Sequence, residues 1–162
     1  MIRIEPFALK HGQGIADLIV PIQREEFDLP VTLADQPDLL DIPGFYQTGG
    51  GNFWVALAGE RVVGTLSLLE IGNGQGALRK MFVHAEFRGA QQGVAALLLK
   101  TLFAWSDAKA LREIYLGTTA KFLATHRFYE KNGFREIAKS ELPPAFPVMA
   151  VDTRFYLKRS DS

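Results

Sequence analysis

The sequence has no cysteine anywhere in its 162 residues. A disulfide framework, a thiolate metal site and a cysteine nucleophile are therefore excluded, and the absence fits a reducing compartment. The sequence also has no surplus charge, because 18 lysine and arginine residues balance 18 aspartate and glutamate residues. Without a net charge, no bulk electrostatic force draws the chain to nucleic acid or to an anionic membrane, and we expect neither as a partner.

Long apolar runs are also missing, although 48% of the residues are hydrophobic. No stretch is long enough to cross a bilayer, and the first residues lack the apolar core of a signal peptide, so we expect a cytoplasmic protein. A chain of this length suits one compact domain with a sizeable core, and we expect residues 1–162 to form it.

Alternating apolar positions and glycine-rich turns predict a sheet, and helix-spaced apolar stripes predict helices between its strands. The predicted strands cover residues 2–7, 52–57, 61–69, 77–83, 113–118, 135–138 and 153–157. The predicted helices are one that Pro21 kinks or splits, a short one near residues 38–42, and longer ones over residues 91–107 and 120–132. The middle strands should form an antiparallel meander that leads into a right-handed crossover. We therefore predict the α/β (α+β) class, with a ligand at the carboxyl ends of the crossover strands.

Two loops have distinct compositions. The glycine run at residues 49–51 predicts a flexible connection, and Pro143, Pro144 and Pro147 predict a stiff extended loop. The proline-rich residues 142–148 are also a candidate dimer contact, so a homodimer is one expectation.

A strand that runs through a glycine-bearing turn into a long helix is the layout of an anion site. N–H groups at a helix start have no partner within the helix, and the helix dipole is positive there, which favours a phosphate in front of them. Arg88 adds a cation, while Gly89 and Gly93 let a ligand's oxygens approach the backbone. A nucleotide-triphosphate module is poorly supported, because no lysine followed by serine or threonine closes the turn.

Two segments carry a family resemblance. Residues 81–95 (MFVHAEFRGAQQGVA) and residues 126–134 (HRFYEKNGF) follow one another with a predicted strand between them. Together they resemble the GNAT superfamily of N-acetyltransferases. The resemblance implies a GNAT-like fold, with a mixed, mostly antiparallel central sheet of about six to seven strands and helices on both faces. It also implies acetyl transfer from acetyl-CoA to a primary amine of a small molecule or peptide, with no metal.

The resemblance places the diphosphate of acetyl-CoA on a frame formed by Arg88, Gln91 and Gly93. Gln91 stands where the family has a glycine, so its side-chain amide is a candidate phosphate contact. The thioester lies in a gap between the strands predicted over residues 77–83 and 113–118, where the pantetheine arm pairs with the first strand like an added strand. The cofactor contacts implied in this way are Phe82, Val83, Arg88, Gly89, Ala90, Gln91, Gln92, Gly93, Val94, Thr118, Thr119 and His126.

The resemblance also implies a catalytic acid. Tyr129 matches the family's tyrosine, whose phenol can protonate the leaving thiolate, and Phe122 and His126 share its helix face. Phe122 stands where the family often has asparagine, so we expect Thr118 or Thr119 to supply the polar contact to the cofactor. Direct transfer in a ternary complex is expected because no cysteine can carry the acyl group. The base that deprotonates the amine is not identified.

Two alternatives stay open on the sequence alone. A catalytically silent CoA-binding sensor or regulatory domain is the alternative to an enzyme. Six carboxylates between residues 25 and 41 either attract a cationic amine or belong to a solvated loop. They are Glu25, Glu26, Asp28, Asp35, Asp38 and Asp41.

Overall fold

One seven-stranded sheet runs through the described chain, which in this computed structural model comprises residues 1–119 and 123–160. The strands are β1 (Ile2–Pro6), β2 (Asn52–Ala58), β3 (Arg61–Gly72), β4 (Gln75–Val83), β5 (Glu113–Thr118), β6 (Arg135–Ile137) and β7 (Arg154–Arg159). Their order in the sheet is β1-β2-β3-β4-β5-β7-β6. All neighbouring strands are antiparallel except β4 and β5, which are parallel. The predicted mixed, mostly antiparallel sheet is confirmed.

Helices cover both faces of the sheet, as predicted, and each face has its own core. The helices are α1 (Gly12–Pro21), α2 (Pro37–Leu40), α3 (Ile42–Phe45), α4 (Val94–Ala108) and α5 (Leu123–Lys131). Alternation along β2 separates the two cores, because Trp54 and Ala56 pack with α4 and α5, whereas Phe53 and Val55 pack with α1, α2 and α3. None of the described helices is long and apolar enough to span a membrane.

Pro21 marks the interruption predicted for the first helix. The α-helix ends at Pro21, and the chain continues as a single π-helical turn, Ile22–Glu26, in which the N–H of Phe27 bonds to the carbonyl of Ile22 at 3.1 Å. A proline ring crowds the carbonyl one turn back and donates no hydrogen bond, which accounts for the change of helix type. The short helix predicted next is instead two single turns, α2 and α3, separated at Asp41.

Two loops differ from the sequence predictions, one because distant residues hold it and the other because it folds back on itself. The glycine run is held in place: the Glu70 carboxylate accepts the N–H of Gly50, and Trp105 donates to the Gly50 carbonyl at 2.8 Å. The proline-rich loop is not extended, since the N–H of Phe146 bonds back to the carbonyl of Pro143 at 3.0 Å and the Phe146 ring is buried.

The end of α5 is as predicted. Gly133 has a φ of +95°, and the N–H of Phe134 bonds to the carbonyl of Tyr129 at 3.1 Å, so a left-handed glycine closes the last turn. The buried Phe134 ring packs back against Tyr129. The predicted start of this helix, including Phe122, lies in residues 120–122, outside the described part of the chain.

Candidate functional site

The two parallel strands separate soon after they begin. β4 and β5 pair at residues 75–77 with residues 113–115, and in the described chain they form no further pair. Beyond Ala77 and Tyr115 the facing edges therefore lack a strand partner, although β4 continues to Val83 and β5 to Thr118. The predicted gap is present, and its free β4 edge offers backbone hydrogen bonds to an extended ligand.

A bulge in β4 lies beside the gap. Lys80 has a φ of +55°, a region that side chains other than glycine rarely adopt, and the pairing with β3 shifts register between Thr65 and Ser67. The hydroxyl of Thr65 donates to the carbonyl of Lys80, and that of Ser67 donates to the carbonyl of Arg79, each at 2.8 Å. The buried Lys80 Nζ lies 3.5 Å from the Asp38 carboxylate. These contacts fix the backbone of β4 where it forms one edge of the gap.

The turn between β4 and α4 has the geometry of an anion site. Gly89 (φ +104°) and Gly93 (φ +69°) are left-handed, and no atom lies within 4 Å of the place where a Cβ would stand on either. Among the described residues, the N–H groups of Gln91, Val94 and Ala95 have no main-chain or side-chain acceptor. The helix begins at Val94, later than predicted, because a left-handed residue cannot continue a right-handed helix. Unpaired N–H groups and open space together fit a diphosphate.

Tyr129 belongs to the core on the α4 face of the sheet. Its side chain is 4% exposed and joins the same buried cluster as Leu78 of β4, Leu116 of β5 and Val94 of α4. Within the described residues its hydroxyl makes no hydrogen bond. Burial raises the pKa of the phenol above its ordinary value, so the hydroxyl keeps its proton at neutral pH. This phenol is therefore able to donate to a ligand atom in the gap.

Comparison with known proteins identifies the family. The family model described as an acetyltransferase (GNAT) domain matches residues 49–136, which is more than half of the chain. The chain belongs to the GNAT family of acetyltransferases. An acetyltransferase of the GNAT family from Staphylococcus aureus Mu50 is 35% identical and superposes with a TM-score of 0.91, covering 98% of this chain and 99% of that chain. The GNAT fold expected from the sequence is confirmed.

Two further relatives of this acetyltransferase differ more in sequence or length. N-acetylaspartate synthetase of Danio rerio is 33% identical over 106 residues, which cover 64% of this chain and 37% of that protein. The chain spans about a third to a half of the length of the curated relatives it matches. A GNAT family acetyltransferase from Elizabethkingia anophelis, 21% identical with a TM-score of 0.62 over 98% of both chains, has acetyl-CoA bound. The fold thus holds acetyl-CoA in that protein.

Arg88, predicted to contact the diphosphate, has two internal partners in this acetyltransferase. Its Nε donates to the carbonyl of Val83 at 2.8 Å, and its two Nη atoms lie 2.7 and 2.8 Å from the carboxylate oxygens of Glu26. The hydrogen bonds from Arg88 lower the pKa of Glu26. The arginine is 42% exposed, and its contact with a phosphate stays a prediction in which Glu26 is the competing anion.

His126 is fixed by hydrogen bonds inside the acetyltransferase. Arg154 donates to its Nδ1 at 2.8 Å, and because a guanidinium cannot accept, the ring proton is assigned to Nε2, which donates to the carbonyl of Thr119 at 2.8 Å. The side chain is buried. Both nitrogens are engaged, so the predicted cofactor contact of His126 is left to its ring carbons.

The fold brings most of the predicted cofactor contacts to one end of the gap. Residues 88–94 form the turn and the first residue of α4, Phe82 and Val83 end β4, and Thr118 ends β5. Phe82 packs toward α1 and Val83 toward α4, and the Val83 carbonyl accepts a hydrogen bond from Arg88. The side chains of Ala90, Gln91 and Gln92 are exposed on the turn. Among the described residues, no group of histidine, aspartate and glutamate side chains is placed to hold a metal ion.

Four of the six carboxylates predicted to attract an amine have internal partners. One pairs with Arg88, one accepts the N–H of Thr32, one accepts the hydroxyl of Tyr46, and one caps α3; they are Glu26, Asp35, Asp38 and Asp41. In the described chain only Glu25 and Asp28 of this set have no ion pair and no hydrogen bond. The acidic segment is therefore mainly a set of structural contacts, and little of it is left for an acceptor.

Two charged residues beside the gap were not predicted from the sequence. Arg79 has a weak signal, since it is one of two adjacent charged residues in a mostly apolar strand that ends at the anion site. Asp152 has no such signal, because it belongs to the loop before β7 and reaches β5 only through the insertion of β7 between β5 and β6.

Proposed function

We propose that this acetyltransferase moves the acetyl group of acetyl-CoA to a primary amine by direct attack within a ternary complex. One observation carries the proposal: β4 and β5 part beyond Ala77 and Tyr115, and the turn that follows β4 has N–H groups without an acceptor among the described residues. The lack of cysteine supports direct transfer, because no thiol is present to carry the acetyl group.

The anion site and the free edge of β4 fit the two ends of acetyl-CoA. The bound cosubstrate supplies an activated acetyl thioester. The N–H groups of Gln91 and Val94 would hold its diphosphate, with Arg88 at the rim and with Gly89 and Gly93 leaving room for the oxygens. The backbone at the end of β4 would pair with the pantetheine arm, since that edge has no strand partner in the described chain.

Tyr129 is the proposed acid. Its hydroxyl is protonated at neutral pH and has no internal partner among the described residues, so its hydrogen can go to the leaving sulfur. A backbone N–H on the free edge of β4 would stabilise negative charge on the thioester oxygen. Release of one proton to solvent balances the reaction of an alkylammonium with a thioester to give an amide and a thiol.

The test of this function replaces one phenol and keeps a matched one. In Tyr129→Phe we expect kcat to fall about 100-fold, the scale of general acid catalysis, while the KM for acetyl-CoA changes little. Tyr115→Phe is the control, because Tyr115 lies on the other face of the sheet. Release of CoA thiol with a panel of amines measures both. Equal kcat values for Tyr129→Phe and the parent protein would remove the acid role.

A further inference from the structure

Two side chains of opposite charge flank the gap on the face that carries α1. Ala77 and Tyr115 are the last paired residues of β4 and β5, and both belong to a third core cluster, which shares the neighbour Leu69 with the α1 core. Because side chains alternate along a strand, the next residues on the same face are Arg79 in β4 and Gly117 in β5. Gly117 has no side chain, and the carboxylate of Asp152 lies over it. Arg79 and Asp152 therefore stand at the mouth of the gap.

The guanidinium of Arg79 has no carboxylate partner among the described residues. Its ring neighbour is Phe45, at 5.8 Å from the guanidinium carbon, and its one side-chain hydrogen bond goes to the thioether sulfur of Met149 at 3.6 Å. A thioether is a weak acceptor, whereas a guanidinium has five N–H donors in a fork that matches a carboxylate. Most of these donors are therefore available to a ligand.

Asp152 is held in place without being neutralised. Its Oδ2 accepts the N–H of Met149 at 3.0 Å, and a Cβ added to Gly117 would lie 2.6 Å from the same oxygen. Burial raises the pKa of Asp152, and the charge of Arg79 opposes that rise, so the two groups are within electrostatic reach. They form no ion pair within 4.0 Å in the described chain. Met149 links the two groups, because its sulfur accepts from Arg79 at 3.6 Å and its N–H donates to Asp152 at 3.0 Å.

Two other charged residues on this face, Lys80 and Asp38, satisfy one another. The Lys80 Nζ lies 3.5 Å from the Asp38 carboxylate and donates to Gln36 at 3.0 Å, and the hydroxyl of Tyr46 donates to Asp38 at 2.6 Å. This buried set joins α2 and the residue after α3 to the bulge of β4, whereas Arg79 and Asp152 have no ion pair with any residue that the structure describes.

We propose that the acceptor is an amine that also bears a carboxylate, with an α-amino acid as the simplest case, bound by its carboxylate to Arg79 and by its ammonium group to Asp152. The inference rests on the proposed function and specifies its acceptor. The leaving sulfur would receive its proton from Tyr129 on the α4 face, while the amine enters from the α1 face. The N–C bond forms as the C–S bond breaks, the sulfur gains one proton, and one net proton of the ammonium leaves to solvent.

The first experiment compares the standard L-amino acids with their carboxamides, using release of CoA thiol. We expect turnover with at least one amino acid and a kcat/KM about tenfold or more lower with its carboxamide, since the amide loses charge-assisted hydrogen bonds to Arg79. Arg79→Gln should lower kcat/KM for the amino acid by about tenfold to a hundredfold and leave that of the carboxamide unchanged. The KM for acetyl-CoA should not change, which also shows that the variant is folded.

Three more variants separate recognition from a general loss of charge. Arg79→Lys should restore part of the activity, because lysine keeps the charge but lacks the fork. Asp152→Asn should weaken the amino acid and the carboxamide alike, because both carry the ammonium group. Arg135→Gln, which removes an exposed arginine of β6, is the matched control and should change neither.

The outcomes distinguish this inference from the function beneath it. If acetyl-CoA stabilises the protein but Arg79→Gln turns over the amino acid as well as the parent protein does, the acceptor class is wrong and the acetyltransferase function stands. The same conclusion follows if no amino acid releases thiol while another amine does. If acetyl-CoA neither stabilises the protein nor yields thiol with any amine, the proposed function itself fails.

Discussion

At the scale of single residues, Arg88 links three segments of the chain. It lies in the turn before α4, donates to Val83 at the end of β4, and pairs through both Nη atoms with Glu26 in the π-helical turn. Paired N–H···O bonds fix the plane of a guanidinium as well as its position. The arginine is thus held next to the turn where we propose the diphosphate binds.

The ion pair predicts a pH-dependent stability. Arg88 binds the ionised form of Glu26, so the folded-state pKa of Glu26 is below its ordinary 4.5. Its contribution is therefore present above pH 4.5 and is lost as the pH falls through the folded-state pKa. Glu26→Gln should lower the free energy of unfolding at neutral pH by less than about 1 kcal/mol, because the pair is partly exposed, and this difference should vanish in acid. Urea unfolding at neutral pH and near pH 3 measures it.

The neighbouring carboxylate is the control for that change. Glu25→Gln removes a charge that has no ion pair in the described chain, and it should leave stability nearly unchanged at either pH. A Glu26→Gln difference that persists in acid would contradict the role given to the ionised carboxylate. The proposed phosphate contact of Arg88 would compete with its ion pair to Glu26, so the same variant should also bind acetyl-CoA more tightly. An unchanged Kd would argue against that contact.

The start of α4 shows how one element depends on its first residues. Gly93 is left-handed, and the N–H groups that follow it have no acceptor among the described residues. A non-glycine residue in this conformation is strained by about 1–2 kcal/mol. Gly93→Ala should therefore lower stability by about that amount and raise the KM for acetyl-CoA as the N–H groups turn away.

Gly12 provides a matched comparison for Gly93. It begins α1 with a helical φ of −54°, and no atom lies within 4 Å of an added Cβ. Gly12→Ala should leave the KM for acetyl-CoA unchanged and keep stability the same or raise it by less than about 1 kcal/mol. Thermal unfolding and acetyl-CoA saturation curves measure both variants. Equal KM values for Gly93→Ala and Gly12→Ala would exclude a ligand role for this turn.

Local sequence patterns were sufficient to predict the helices and strands and the turn at which we propose the diphosphate binds. The meander, the crossover and the turn around Gly89 and Gly93 depend on residues close in sequence, so spacing and glycine positions predicted them. The partners that cross the fold were not predictable: Glu26 and Arg88 are 62 positions apart, and Asp152 meets Gly117 only through the strand order. The sequence pattern also did not predict local backbone strain. An example is the left-handed conformation of Lys80, which contacts from β3 and α2 hold in place.

At the scale of the whole molecule, ligand binding should appear as added stability. A ligand that binds only the folded state at about a hundred times its Kd contributes about 2.7 kcal/mol. For a domain of this size that corresponds to a rise in Tm of roughly 5–10 °C. We expect acetyl-CoA to produce it and ATP with magnesium to produce none, as measured by thermal shift. Equal shifts from both would contradict a site specific for the coenzyme.

The strand order has a consequence for how the protein is made. β7 follows β6 along the chain but lies between β5 and β6, and in the described sheet β6 has no other neighbour. On the ribosome, a nascent chain that has not yet reached Arg154 keeps one edge of β5 open and cannot dock β6. Open strand edges pair readily with other chains. Synthesis of β7 is therefore the step that covers this open edge of β5.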